Sequence, residues 1–132
     1  MVEEDFIPNE RIKELVSKQP LGIAIYSSGM LFSYKNGVVT EDYLKCSYND
    51  LEVNHGVTLV GYGKVEKGDK VRGWCKEYWI VRNSWGKNWG EEGFFRLCMD
   101  NVGSKATPYG TCLINKYVTY PTMEAVTKNP TY

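Results

Sequence analysis

Ile12, Leu15 and Val16 stand at i, i+3 and i+4, the spacing of one apolar stripe on a helix, so a short amphipathic helix is predicted over Asn9 to Lys18. Pro8 precedes that stripe and Gln19-Pro20 closes it, because the residue before a proline is pushed out of the helical region. The run from Leu21 to Tyr26 is apolar and partly β-branched and reads as a buried strand, followed by a turn at Ser27-Ser28-Gly29. Phe32 to Gly37 has no clear period, and Val38 to Asp50 reads as an irregular surface connection pinned at Cys46. Val53, Val57, Leu59, Val60 and Tyr62 predict a strand closed by Gly61 and Gly63, and this strand carries His55. The charged stretch Lys64 to Lys76 contains Gly68 and Gly73 and reads as an exposed hairpin tip. Further strands are predicted at Tyr78 to Arg82, at Phe94 to Cys98 across a Gly/Trp-rich loop, and across Cys112 to Tyr120. Met123 to Tyr132 reads as a loose polar tail. The fold class is therefore α+β, mainly β: one short N-terminal helix followed by an antiparallel, barrel-like sheet.

A chain of 132 residues has room for one core. Sixteen basic and sixteen acidic side chains leave no net field to gather nucleic acid or an anionic membrane. The apolar runs are far shorter than the roughly 20 residues that span a bilayer. Met1 to Glu10 is acidic and has no apolar segment, so a secretory signal, where one is used, is expected upstream. Cys46, Cys75, Cys98 and Cys112 form no closely spaced pair, and His55 is the only histidine, a pattern unlike a zinc site; neither metal nor cofactor is expected. Four cysteines allow three disulfide connectivities or a set of reduced, buried thiols.

A lone histidine is ordinarily a surface or core residue, and an asparagine beside serine and glycine is ordinarily a turn residue. Here a hairpin would bring His55, at the head of one apolar strand, close to Asn83, at the end of the next. A proton-transferring imidazole needs one fixed tautomer and orientation. An amide oxygen accepting from Nδ1–H would supply both, leaving Nε2 to face a nucleophile.

The segments NHGVTLVGYG at 54–63, YWIVRNSWGKNWGEEGFFRL at 78–97, YGTC at 109–112 and TYP at 119–121, with QPLGIAI at 19–25, together resemble the right-hand domain of papain-like (cathepsin-type) cysteine peptidases. The resemblance covers residues 9–122, leaving 1–8 as an N-terminal extension and 123–132 as a C-terminal tail. It implies that His55 is the catalytic imidazole and Asn83 the amide that orients it. Trp85 would shield their bond, Trp89 would wall the leaving-group side of the cleft, and Ala24, Val53, Asn54 and Tyr117 would line the main specificity pocket. It also implies a Cys46–Cys112 disulfide. For Cys75 and Cys98 the strands about the Ser84 to Glu92 turn place the two close enough for a second bridge.

The family's nucleophile lies in a Cys-Gly-Ser-Cys-Trp segment of its left-hand domain, and this sequence has none. The chain therefore reads as the C-terminal half of a thiol peptidase that is inactive alone. Its partners would be an N-terminal domain bearing the cysteine and a peptide or protein substrate, and self-association is expected in isolation. The resemblance places it in a lysosome or vacuole, or outside the cell. The alternative is a non-catalytic, peptidase-like binding module. The Lys64 to Lys76 stretch is longer than the family's usual hairpin and reads as a solvated loop, with a docking arm as the lesser alternative.

Overall fold

The computed structural model describes residues 6–47, 49, 52–100 and 109–120. Helix α1, Asn9–Val16, buries Ile12, Leu15 and Val16 against the sheet and turns Glu10, Arg11 and Glu14 to solvent. Ahead of it Ile7 is tied to Asn115, its N–H donating to the Asn115 carbonyl at 2.9 Å and its carbonyl accepting from Asn115 Nδ2 at 2.7 Å. Strand β1, Leu21–Ile25, buries Leu21, Ile23 and Ile25 on one face and leaves the small residues Gly22 and Ala24 open on the other. The strand expected to be buried is thus buried on one face and open on the other.

The remaining strands are β2 (Val38–Val39), β3 (His55–Lys64), β4 (Val71–Arg72), β5 (Glu77–Arg82), β6 (Phe94–Cys98) and β7 (Tyr117–Thr119). A four-residue helix α2, Glu41–Leu44, follows β2 and is capped by the Thr40 hydroxyl. The sheet order is β4-β2-β6-β5-β3-β1-β7. Its centre, from β6 to β7, is antiparallel as expected, while β2 runs parallel to both β6 and β4. Among the described residues the sheet is not closed, so "barrel-like" describes it only loosely. A bulge between Leu59 and Gly61 shifts the β3/β5 register by one residue. The core between helix and sheet is filled by Trp79, Phe95, Leu21, Leu59, Leu97 and Val81, all fully buried.

Val38 to Asp50 departs most from its expected irregular surface path. Val38 and Val39 are completely buried, since β6 and β4 flank them on both sides. Two residues are too few for a period to show, and the partners that bury them lie more than thirty and fifty positions away. The Lys64 to Lys76 stretch is also docked rather than free: Val38 N–H donates to the Lys70 carbonyl at 2.7 Å, and Thr40 Oγ1 donates to the Arg72 carbonyl at 2.9 Å. Gly37, at φ +90°, is required there, because a Cβ would stand 2.6 Å from the Lys70 oxygen. The strand expected across Cys112 to Tyr120 forms only at its end, since Thr111–Leu113 is a 3-10 turn with Cys112 at φ +52°. The Met123 to Tyr132 tail lies outside the described residues.

Both disulfides are present, Cys46–Cys112 and Cys75–Cys98, with Cα separations of 5.2 and 5.8 Å. The second is not a bridge between paired strand residues. Cys98 pairs with Tyr78 in the sheet, and Cys75 reaches it from the segment before β5. Charged side chains are also built into the fold, a partly buried cluster around Arg96 and the buried Glu41. Arg96 forms a two-pronged bond to Glu91, with both contacts at 2.9 Å, and reaches Asp69 at 3.2 Å, pinning the charged stretch to β6. Partial burial would raise the Glu91 carboxyl, but the Arg96 guanidinium and the Gly37 N–H outweigh it and hold the group below its ordinary range.

Glu41 behaves in the opposite way. Burial raises its carboxyl, the Cys112 N–H opposes that shift, and the Asp42 charge adds to it. A carboxyl raised on folding destabilises the fold wherever it is ionised; the penalty is absent below the unfolded pKa and complete above the folded one. Glu41→Gln is therefore expected to raise the urea midpoint relative to wild type at pH 7, and the gain should shrink as the pH falls to 4. An offset that stays constant across that range would refute this account.

Candidate active site

His55 opens β3, where its backbone pairs with Ile25 at the end of β1. Thr58 pairs with Arg82, so the chain leaving β5 passes beside the head of β3 and delivers Asn83 there. Asn83 is buried, and its N–H donates to the Gly93 carbonyl across the mouth of the Gly/Trp loop at 2.9 Å. Its Oδ1 lies 2.8 Å from His55 Nε2. The same oxygen accepts the Ser84 N–H at 2.7 Å. Because a backbone N–H can only donate, that contact identifies the atom as the amide oxygen, and His55 Nε2 must then carry the proton it shares with Asn83. In the neutral ring Nδ1 is then the accepting nitrogen.

This corrects the expectation that Asn83 would hold Nδ1. The two nitrogens exchange roles because the imidazole enters from the head of β3 with its far nitrogen toward β5. Sequence spacing sets which residues meet, while the rotamer sets which nitrogen each of them meets. An imidazole fixed in this way can accept or return a proton at Nδ1 without rotating.

Trp85 lies over the pair, its ring 5.1 Å from the imidazole and tilted by 30°. Trp89 meets Trp85 edge-on at 5.1 Å and donates from Nε1 to the Phe32 carbonyl at 3.2 Å. Phe32 was missed by the sequence reading, which took its segment as irregular. Its ring is 69% exposed yet stacks flat on Trp85, 4.5 Å away with 4° between planes, at the end of a 3-10 helix over Gly29–Ser33. No period in the sequence marks it; only its partner Trp85, more than fifty residues later, explains it. The loop holding both tryptophans turns tightly at Gly90, at φ +61°, where a Cβ would stand 2.7 Å from the Phe94 carbonyl oxygen.

Two concavities flank the pair. A cavity of about 270 Å³ is bounded by Ser27, Phe32, Asn54, His55 and Trp85. Asn54 anchors it, accepting the Ser27 N–H at 2.7 Å and donating back to the Ser27 carbonyl at 3.1 Å. On the other side of Asn83 an open groove of about 540 Å³ runs along the outer faces of β1, β3 and β7, lined among others by Ala24, Gly56, Arg82 and Tyr117. Ala24 and Tyr117 thus share one groove, Asn54 belongs to the neighbouring cavity, and half-buried Val53 lines neither. The groove exists because Gly22, Ala24 and Gly56 offer little side chain on that face. Arg82 and Thr58 were not anticipated there, although the strand alternation could have placed them.

A family model described as papain family cysteine protease matches residues 3–122. Among curated proteins the chain is similar to ananain of Ananas comosus, 38% identical over 118 residues. That match takes in 89% of this chain and 29% of ananain. It is also similar to cysteine proteinase EP-B 1 of Hordeum vulgare, 39% identical over 113 residues, or 85% of this chain and 26% of that protein. Among solved structures, the bromelain protease of Ananas comosus in complex with the E64 inhibitor superposes with a TM-score of 0.66 at 35% identity. The superposition covers 87% of this chain and 46% of that one. The Amb a 11 cysteine protease, a ragweed pollen allergen solved in its proform, gives 0.67 at 36% identity, covering 86% and 30%. The chain therefore spans less than half the length of these relatives.

Proposed function

The chain belongs to the papain family of cysteine proteases, and from that premise we propose that it is the histidine- and asparagine-bearing half of a thiol peptidase. The observation that carries this reading is the His55–Asn83 bond beneath Trp85, in a chain whose four cysteines are all disulfide-bonded. A disulfide sulfur is no nucleophile, so the attacking thiolate comes from a left-hand domain packed across the cleft face. That thiolate forms an ion pair with protonated His55 and attacks the peptide carbonyl. His55 passes its Nδ1 proton to the departing amine, and water, deprotonated by the same nitrogen, hydrolyses the thioester. Asn83 keeps the ring in register through the cycle. The groove holding Ala24, Gly56 and Tyr117 receives a substrate side chain, and Trp85 and Trp89 border the leaving-group side. Two disulfides suit an oxidising route to a lysosome, a vacuole or the exterior.

The purified chain is expected to give no turnover of a peptidyl fluorophore and no labelling by a thiol-directed epoxide, since losing the nucleophile removes several orders of magnitude in rate. Thiol-dependent turnover abolished by substitution of just one of Cys46, Cys75, Cys98 or Cys112 would overturn the reading and name that residue as nucleophile.

In the isolated chain the proposed cleft face is uncovered. Exposed Phe32 lies there, stacked on half-buried Trp85, which Trp89 meets edge-on. Exposed aromatic surface of this kind favours association. Sedimentation over a dilution series is expected to show a reversible dimer at high micromolar concentration. A sharp monomer there, with no binding of a hydrophobic dye, would contradict the uncovered face.

A further inference from the structure

At the edge of the sheet away from β1 and β7 lies a third concavity, of about 350 Å³, which the peptidase reading does not use. Lys35, Lys70 and Arg72 line it, with Tyr43, Ser33 and Asn36, and no lining residue is acidic. The cations arrive from two directions. Lys35 follows the 3-10 helix that ends at Ser33, whereas Lys70 and Arg72 come from the charged stretch that sequence alone marks as a solvated loop.

All three side chains are exposed, and the backbone of Lys70 and Arg72 is held in place. Lys70 and Arg72 are two apart on an extended segment, so their side chains leave on the same side. That segment is bonded to Val38 and Thr40 on β2 and its margin, with Gly37 closed against the Lys70 carbonyl. Arg72 rests with its guanidinium carbon 5.5 Å from the Tyr43 ring centre. Asp69, next to Lys70 in the chain, and Glu91 are both engaged with Arg96. Among the described residues, no carboxylate lies within ion-pair distance of Lys35, Lys70 or Arg72. Three like charges around one concavity repel each other, and an anion seated among them would remove that cost. Lys and Arg donors match a tetrahedral oxyanion, which Arg can grip with two parallel N–H groups. The volume falls within the range of small-ligand pockets and exceeds what a bare oxyanion fills.

We propose that Lys35, Lys70 and Arg72 form a binding site for a sulfate or phosphate monoester on a small carrier such as a sugar, remote from His55. The test is NMR titration of the ¹⁵N-labelled 132-residue chain, at constant ionic strength, with glucosamine 6-sulfate, glucose 6-phosphate, and inorganic sulfate and phosphate. Saturable shifts confined to residues 33–43 and 70–72 are expected, with one ester binding at least tenfold more tightly than its inorganic anion. The preferred ester identifies the oxyanion. Lys70→Gln with Arg72→Gln should weaken that binding tenfold or more, as should Lys35→Gln, which lies outside the docked segment and guards against a folding artefact. Lys18→Gln, which removes a cation from the end of α1, should change nothing. Shifts scattered over all basic residues, equal affinity for ester and inorganic anion, or unaltered binding in the Lys35→Gln variant would each overturn the proposal.

Discussion

On the function proposed above, with a cysteine-bearing domain completing the enzyme, His55→Ala is expected to lower kcat/KM by about 10⁴-fold or more, because the imidazole proposed to shuttle the proton is gone. Asn83→Ala should cost less, on the order of 10²-fold, since Asn83 touches no reacting atom and acts by holding the imidazole in place. The loss should fall on kcat and leave KM nearly unchanged. The geometry makes the distinction sharp. Asn83 Oδ1 accepts from both His55 Nε2 and Ser84 N–H, so its removal frees the ring to rotate and to exchange tautomers. Burst-phase and steady-state kinetics on the two variants check this, and near-normal turnover by His55→Ala would end the assignment.

The second large effect is on stability. Cys46–Cys112 closes a loop of 66 positions and Cys75–Cys98 one of 23. On the chain-entropy account the first bridge is worth about 4 kcal/mol and the second about 3 kcal/mol. Replacing Cys46 and Cys112 together by alanine should therefore lower the free energy of unfolding by more than replacing Cys75 and Cys98. The first bridge also has a local consequence. Tyr26 N–H donates to the Cys112 carbonyl at 3.0 Å, so the bridge fastens the connection ahead of His55 to the end of β1. Non-reducing urea titration of both double variants decides the order. If the short loop proves the more costly to open, chain entropy is not what the long bridge supplies.

The helix and the central strands could be read from the sequence because their signals are local. Ile12, Leu15 and Val16 declare a helical face by spacing alone, and the segments from His55 to Lys64 and from Tyr78 to Cys98 declare strands by composition and by the turns between them. The meeting of His55 with Asn83 was legible for the same reason, since a hairpin needs only two adjacent strands. The Cys46–Cys112 disulfide was implied by the family resemblance and not by any local signal, and the Cys75–Cys98 bridge, plausible from the strand positions, forms from a residue outside the paired strand.

Tertiary structure alone decided the rest. Val38 and Val39 are a strand only because β4 and β6 sit on either side of them, and no local period can report a partner in parallel register so far along the chain. The charged stretch became a docked edge strand because β2 offered unpaired backbone groups and Arg96 offered a counter-charge to Asp69. The imidazole nitrogen that meets Asn83, and the stacking of Phe32 on Trp85, depend on side-chain torsions and on the approach of distant segments. The sequence by itself determined which strands bring His55 and Asn83 together; packing in three dimensions decided how those residues face each other, because orientation is set by non-local contacts that leave no pattern along the chain.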